Sequence, residues 1–393
     1  MRPDGASPRR IVVIGDFCDG ASSQPIPTVE NATAEWLSGA RGPLPGAAVT
    51  GMPDVIGGYL ERLPLAAVRQ GLCDSAEIWT FWAQDGPPPW SHNPPALTRR
   101  SFRPDDPLAR PFSSRDMLGH IAAFGSPDIL CVWGLGVDAA ILEACAPSVR
   151  IYNSIDAPAL RVPDEVGRHF DIVLTGAQWQ SDEVERRHPG MLTAIMPIGP
   201  EFASPGTFYP LGLEKTYDFI YVAAAQAYKK HDVLFDALAR LSRSFRALCV
   251  CGYGELAGVL CARVDELGIA VDFVGPPGVD FAEVNRLMNL ARVGIVCGVD
   301  DGAPAILTEY MLAGLPVLAN SRLTCGLQFI TPMTGRTADE DLFHFGLTDM
   351  LDNLDEFSPR QTALLNWTWP HTTKRLAALV DHARERKAQR QHV

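Results

Sequence analysis

The sequence predicts an α/β protein made of two doubly wound parallel-sheet domains, and three observations carry that prediction. Short β-branched runs alternate with longer segments of helical period along most of the chain. The runs are nearly continuous in apolar residues, as strands covered on both faces must be. At 393 residues the chain has room for two or three domains, and the alternation breaks once, at 201–216 (EFASPGTFYPLGLEKT). That Pro- and Gly-rich stretch has no period and reads as an interdomain linker.

Taken in order, the first half offers strands at 10–15 (RIVVIG), 76–82 (AEIWTFW), 128–133 (DILCVW), 149–153 (VRIYN), 171–175 (DIVLT) and 193–197 (TAIMP). Between the second and third of these lies 85–115, an irregular region with eight prolines and several arginines. Loops of that length usually carry function or move. The second half resumes with strands at 218–223 (DFIYVA), 247–251 (ALCVC), 271–274 (VDFV), 293–297 (VGIVC) and 316–319 (PVLA). Residues 231–243 are helical by period, with Val233, Leu234, Ala237, Leu238 and Leu241 on one stripe. The charged end, 384–393, reads as a frayed tail.

Composition bounds the function. Apolar residues make up 47% and charged ones 20%, enough to bury sizeable cores. A net charge of −12 argues against nucleic acid and anionic lipid as bulk partners. The longest apolar stretch, 129–146, contains Asp138 and Glu143 and several glycines, so it does not read as a transmembrane helix. The N-terminal MRPDGASPRR does not read as a secretion signal, so none is expected. The nine cysteines include Cys249 and Cys251, two apart on one strand face and not a metal clip. A cytoplasmic chain with reduced thiols is expected, with peripheral membrane contact still open.

Three stretches carry candidate chemistry. Gly252-Tyr253-Gly254-Glu255-Leu256-Ala257 follows a strand and opens a helical pattern, with Asp272 about twenty residues on. This is either a dinucleotide fingerprint or a tight turn that needs its glycines for packing alone. Lys229 and Lys230 stand at a strand-to-helix turn, where the helix N-terminus favours an anion; a solvated lysine pair is the plainer alternative. In VDDGAPAILTEYMLAGLPVLAN (299–320), Asp301 falls in a loop at the carboxyl end of a strand. Glu309 falls one turn into the following helix. The N–H groups of Ala305, Ile306 and Leu307 are expected to be free for an oxyanion. An N-terminal Asp and an exposed helix charge would give the same spacing. Asp339-Glu340-Asp341 matches a D-x-D metal motif but lies at an expected helix start, where acidic residues suit the dipole. No metal site is expected.

The order of DFIYVA, YKKHD, ALCVCGYGEL, VDFVGPPG, NLARVGIVC, DGAPAILTEYMLAGLPVLAN and TGR resembles the C-terminal domain of GT-B fold glycosyltransferases. It is most similar to the retaining group 1 (family 4) transferases, over 217–336. Their E-x7-E motif matches Asp301 and Glu309, with aspartate for the first glutamate, and their phosphate-binding lysine matches Lys229. The usual arginine five residues earlier falls at Ala224, and the GYG turn looks like the family's ordinary second strand and turn. In the first half PDILCVWG, RIYNSIDAP, FDIVLTGAQWQSDEV and IMPIGPEF resemble the acceptor domain more weakly. A frequent histidine there is Trp133 or Cys131, and the Asn of a P-N-G turn is Ile198. NWTWPHTTKRLAAL, with Trp367 and Trp369, looks like the terminal helix that crosses back to the first domain.

The resemblance implies two Rossmann-like domains facing each other across a cleft. Residues 1–202 would bind the acceptor, 203–216 link, 217–365 bind the nucleotide sugar, and 366–393 return to the first domain. It implies a retaining, metal-independent transfer from a UDP- or GDP-sugar to a hydroxyl-bearing acceptor, with no further cofactor. Lys229, aided by Lys230 and the helix N–H groups, would stabilise the leaving diphosphate, with Gly252 and Gly254 lining the donor site. Asp301 would hold the sugar hydroxyls, and Glu309 the ribose. Trp90, His92, Arg99, Arg100 and Trp133 are candidates for the acceptor side. Two alternatives remain: a non-catalytic nucleotide-sugar-binding or partner subunit, given Ala224, Trp133 and Asp301, and an NAD-dependent oxidoreductase or epimerase resting on 252–257.

Overall fold

The computed structural model describes residues 8–19, 55–93 and 97–391, the side chains of His92, Asn93 and Gln391 excepted. These residues divide into two units: the chain up to Ile198 together with Trp369 onward, and Gly199–Thr368.

The first unit opens with β1 (Arg10–Asp19), α1 (Tyr59–Arg69) and β2 (Ser75–Trp82). β3 (Trp90–Asn93) and β4 (Leu97–Phe102) follow, then α2 (Arg115–Phe124) and β5 (Ile129–Trp133). It continues through α3 (Ala139–Ala144), β6 (Val149–Asn153), α4 (Asp164–Gly167), β7 (Ile172–Thr175), α5 (Gln178–Arg187) and β8 (Leu192–Ile195). The sheet order is β3-β4-β2-β1-β5-β6-β7-β8, parallel except for the β3–β4 pair. The proline-rich 85–115 region is therefore not all loop. Pro87–Pro89 precede β3 and Pro104 follows β4, so these rings cost the ladder no N–H. β1 shifts register between Ile14 and Cys18, a bulge at the carboxyl edge of the sheet.

α6 (Ile198–Glu201) spans the division between the units. The second unit then runs β9 (Tyr217–Val222), a 3-10 turn at Ala227–Lys229, α7 (His231–Ala239), β10 (Ala247–Val250), α8 (Ala257–Leu267) and β11 (Val271–Val274). After it come α9 (Phe281–Asn289), β12 (Ala291–Val296), α10 (Ile306–Leu312), β13 (Val317–Asn320) and β14 (Gly335–Ala338). A 3-10 turn at Glu340–Leu342, α11 (Phe343–Asp352) and α12 (Pro359–Asn366) complete it. Its order, β11-β10-β9-β12-β13-β14, is parallel throughout and reverses between β9 and β12. Ligands of open α/β sheets bind at the carboxyl ends of strands at such a reversal.

Both faces of this sheet are buried, which explains the unbroken apolar runs. Ile220, Leu248, Val317 and Ala319 enter one core; Phe219, Tyr221, Cys249, Val293 and Leu318 enter the other. Gly294 admits Tyr310: a Cβ there would lie 2.5 Å from the ring. The Tyr310 hydroxyl accepts the Val222 N–H at 2.7 Å and donates to the Ile220 carbonyl at 3.1 Å. These bonds fix α10, and with it Glu309, on β9. Within the 203–216 stretch, Ala203 and Phe208 are fully buried in the second unit's core. The Tyr209 and Leu211 N–H groups donate to Asn285 and Asn289 of α9.

The last helix, α13 (Trp369–Gln391), packs on α1 and β6 of the first unit. Lys387 donates to the carbonyls of Ala146 and Ser148 at 2.8 and 2.6 Å and pairs with Asp171 at 3.1 Å. The segment expected to fray is instead helical to Gln391, because Lys387 and Arg386 tie it to the first unit. Among the described residues no helix is long and apolar enough to cross a membrane. All nine cysteines are unpaired thiols.

Candidate functional site

The reversal between β9 and β12 brings Lys229 and Asp301 together. Lys229 ends the 3-10 turn after β9, where its carbonyl accepts the buried Tyr221 hydroxyl at 2.6 Å. Asp301 stands in the 297–305 loop after β12, and the two side chains form a hydrogen-bonded ion pair. The loop is held from behind. The Asp301 N–H donates to the Val299 carbonyl at 3.0 Å and to Thr324 Oγ1 at 3.3 Å, and Thr324 donates back to the Val299 carbonyl at 2.9 Å. Gly298 gives the turns room to approach: a Cβ there would sit 3.3 Å from the Tyr228 carbonyl and 3.7 Å from the Asp301 carboxylate. Ala303 takes φ +72 in this loop, strained for a residue with a Cβ.

Glu309 is buried at 6% exposure, which removes the reading of an exposed helix charge. Of the three N–H groups expected free at the start of α10, Leu307 is spent on the Pro304 carbonyl at 3.2 Å. The 3-10 closure of the first turn consumes it. The N–H groups of Ala305 and Ile306 make no such bond among the described residues.

Lys230 does not accompany Lys229. It adopts φ +48, a left-handed conformation that costs a non-glycine residue about 1–2 kcal/mol. Its ammonium lies 2.6 Å from Glu340 Oε1 and holds that carboxyl below its ordinary range. The D-x-D stretch begins a helical turn as expected, with Asp339 at the N-cap position and Glu340 and Asp341 in the first turn, but no side-chain capping bond forms. Asp339 accepts the Ser321 hydroxyl, and Glu340 serves as the partner of Lys230. Among the described residues no group of three or more His, Cys, Asp or Glu side chains is placed to hold a metal ion.

His231, next in sequence, is buried against Tyr221 with ring centroids 4.7 Å apart. Burial and the nearby Lys229 push its pKa down from 6.5 to about 4. Between those values the unfolded chain binds more protons than the folded one, so stability falls as pH drops from 6.5 and the loss is complete below about 4. The shift corresponds to roughly 3 kcal/mol. His231→Phe keeps the ring and is expected to flatten denaturant midpoints across that window; unchanged slopes would show that another group titrates.

The Gly252–Ala257 stretch packs as a turn. Gly254 has φ +123, and a Cβ there would lie 2.4 Å from the Ala225 carbonyl oxygen. The Ala225 N–H donates to the Tyr253 carbonyl at 2.7 Å, and the Leu256 N–H to the Ala225 carbonyl at 2.9 Å. Gly252 is half-buried beside it. Asp272 faces Leu248, the second residue of β10, and pairs with Arg246 at 2.7 Å and the Tyr217 hydroxyl at 2.9 Å. It belongs to the amino half of the sheet, whereas a ribose-binding carboxylate of a dinucleotide site stands at the carboxyl end. Ala224, where a second phosphate cation was expected, is a buried apolar position.

In the first unit the acceptor candidates separate. Trp133 is buried at the carboxyl end of β5, its ring 3.0 Å from where a Gly15 Cβ would be. Arg99 and Arg100 lie on β4, three strands away, or about 14 Å at usual strand spacing. Arg99 pairs with Glu61 at 3.1 Å and Arg100 with Glu77 at 2.9 Å, and Arg100 lies over the exposed Trp90 ring. The His92 side chain lies outside the described residues. Around Trp133 the structure adds two polar residues. Asp16 accepts the Leu135 N–H at 2.7 Å, and burial holds its carboxyl above the ordinary range despite that bond and Arg161 and Arg110. Asn153, opposite Trp133 in register, is fully buried; its amide atoms and the Trp133 indole N–H have no hydrogen-bond partner among the described residues. A polar residue ending an apolar strand, as Asn153 ends VRIYN, was the available sequence signal. In the second unit Gln226 was likewise missed: it is buried in the turn before Lys229, and its side-chain amide oxygen, Oε1, has no partner among the described residues.

Residues 210–330, which contain Lys229, Lys230, Asp301 and Glu309, match the family described as glycosyl transferases group 1. No curated protein matches the chain. Among solved structures it is similar to sucrose-phosphate synthase from Thermosynechococcus elongatus: TM-score 0.65, 14% identity, 95% of this chain and 98% of that one. It is also similar to the apo lipopolysaccharide outer core galactosyltransferase WaaB, at TM-score 0.64 and 15% identity over 95% and 99% of the chains. A third is Anabaena HepE in complex with UDP and glucose, at TM-score 0.63 and 12% identity over 95% and 100%. At these identities the likeness is one of fold, and the chain has the two Rossmann-like bodies of the GT-B fold. The family match is the one the motif order implies, and with the fold it supports sugar transfer.

Proposed function

We propose that the chain transfers a sugar from a nucleoside-diphosphate sugar to an acceptor hydroxyl, with retention and without a metal. The observation that carries the reading is the Lys229–Asp301 pair at the reversal of the second sheet, within the segment that matches the group 1 transferases. As the glycosidic bond breaks, the diphosphate gains negative charge and the sugar becomes cation-like. Lys229 meets the first change, together with the Ala305 and Ile306 N–H groups, and each donor aimed at developing charge is worth about 100-fold. Asp301 holds the donor sugar while sharing Lys229, and buried Glu309 orients the ribose. The departing phosphate takes the acceptor proton, so no separate base is required. The first unit binds the acceptor near Asp16, Trp133 and Asn153. UDP or GDP is the expected nucleotide; the HepE complex with UDP and glucose favours the first.

A second reading, a nucleotide-sugar-binding subunit without turnover, is favoured by Ala224 and by the carboxylate partner on each lysine. Thermal melting with UDP, GDP, dTDP, ADP and NAD, with and without EDTA, tests the main one. A nucleotide at ~100 times its Kd adds about 2.7 kcal/mol. Stabilisation by one nucleoside diphosphate that survives EDTA is expected, followed by donor hydrolysis or transfer on incubation with the matching sugar nucleotide. Stabilisation by NAD alone would overturn the proposal, and nucleotide binding with no turnover would select the second reading.

A further inference from the structure

One anion already sits at the carboxyl edge of the second sheet, and it belongs to the chain. Glu340 Oε1 lies 2.6 Å from Lys230 Nζ, 3.3 Å from Asn320 Nδ2 and 3.9 Å from an Arg322 guanidinium nitrogen. Lys230 comes from the turn after β9, and Asn320 and Arg322 from the end of β13 and the loop that follows it; all three face a single oxygen. Asn320 is fully buried, and its amide is aimed by a second bond to the Cys297 carbonyl at 2.9 Å. Glu340, at 28% exposure, is open to displacement by a solute, and Lys230 and Arg322, at 31% and 67%, are open to receive one. Lys230 reaches it from a left-handed backbone conformation, directly after the lysine assigned to the diphosphate.

We propose that Lys230, Asn320 and Arg322 form a cradle for a phosphate-type anion, which Glu340 fills in the free chain and which a bound phosphate takes over by displacing that carboxylate. The part of this concerning the donor diphosphate rests on the function proposed above. A carboxylate and a phosphate offer the same donors the same oxygen acceptors, so they compete for one seat. Glu340 then sets how tightly the edge of the sheet takes an anion, by opposing it.

Calorimetric titration of the full chain with inorganic pyrophosphate and, separately, with UDP tests this. Glu340→Gln is expected to tighten pyrophosphate binding by about fivefold and to make it more salt-sensitive, because a screened carboxylate no longer competes. Lys230→Met is expected to weaken it, and Glu340→Gln added to Lys230→Met should gain nothing. An unchanged or weaker affinity in Glu340→Gln, or an equal gain with Lys230 absent, would overturn the cradle. If Glu340→Gln tightens pyrophosphate while no variant binds UDP, the cradle stands and the UDP-donor reading falls. If all bind UDP alike with no pyrophosphate gain, the cradle falls and the donor reading stands.

Discussion

Lys229→Met is expected to lower transfer from the sugar nucleotide by 100-fold or more, mostly in kcat. Methionine keeps the apolar stem against the Tyr228 ring, over which the ammonium lies at 4.7 Å, so the change removes charge more than packing. In the proposed mechanism the ammonium acts on charge that appears only as the bond breaks, and a group of that kind is lost from kcat rather than from ground-state binding. One complication follows from the ion pair. The Asp301 carboxylate, 14% exposed beside Lys229, loses its principal cation in the variant, which costs stability on its own account. Lys229→Met with Asp301→Asn separates the effects: the double variant is expected to recover melting temperature and not turnover. Glu309→Gln, isosteric and buried, is expected to raise KM for the donor about tenfold while leaving melting nearly unchanged. Wild-type turnover in Lys229→Met would remove the proposed role of that lysine.

What could be read from the sequence was what local patterning records. The strands of the second unit, the edge strand β11 with its exposed Asp272 apart, are largely apolar runs because both sheet faces are buried, and each was recognisable without its neighbours. The exception is β14, four residues (GRTA) with no apolar run to mark them. β3 and β4 were hidden for another reason: prolines normally argue against strands, and here Pro87–Pro89 and Pro104 stand just outside the two strands. At the site, Lys229, Asp301 and Glu309 stood in legible strand–turn–helix contexts. Their mutual contact did not, since Lys229 and Asp301 are 72 residues apart and meet only through the sheet order. The Lys230–Glu340 pair spans 110 residues and was unreadable for the same reason. Asp16 and Asn153 carry no motif, and their burial beside Trp133 is a tertiary fact.

Gly254→Ala is expected to destabilise the second unit by about 3 kcal/mol or more, lowering its melting midpoint by roughly 6–12 °C. Two costs combine. The backbone at φ +123 is disfavoured for any residue with a Cβ, at about 1–3 kcal/mol. The new methyl would also lie 2.4 Å from the Ala225 carbonyl oxygen and 2.5 Å from its carbon, backbone atoms that cannot swing aside as a side chain can. Relief requires the two turns to part, and the bonds at risk are those of Ala225 to Tyr253 and of Leu256 to Ala225. The displaced segment leads through Gln226 into Lys229, so nucleoside-diphosphate affinity is expected to fall even well below the new midpoint. This outcome separates the two meanings of the glycine turn. If Gly254 serves packing, the variant melts early, and NAD stabilises neither protein. If it served a dinucleotide, the wild-type chain would gain stability from NAD and the variant would lose that gain at an unchanged midpoint. Ala225 and Tyr253 facing each other across the turn favour the first result, because the space a pyrophosphate would need beside Gly254 is taken by the Ala225 backbone.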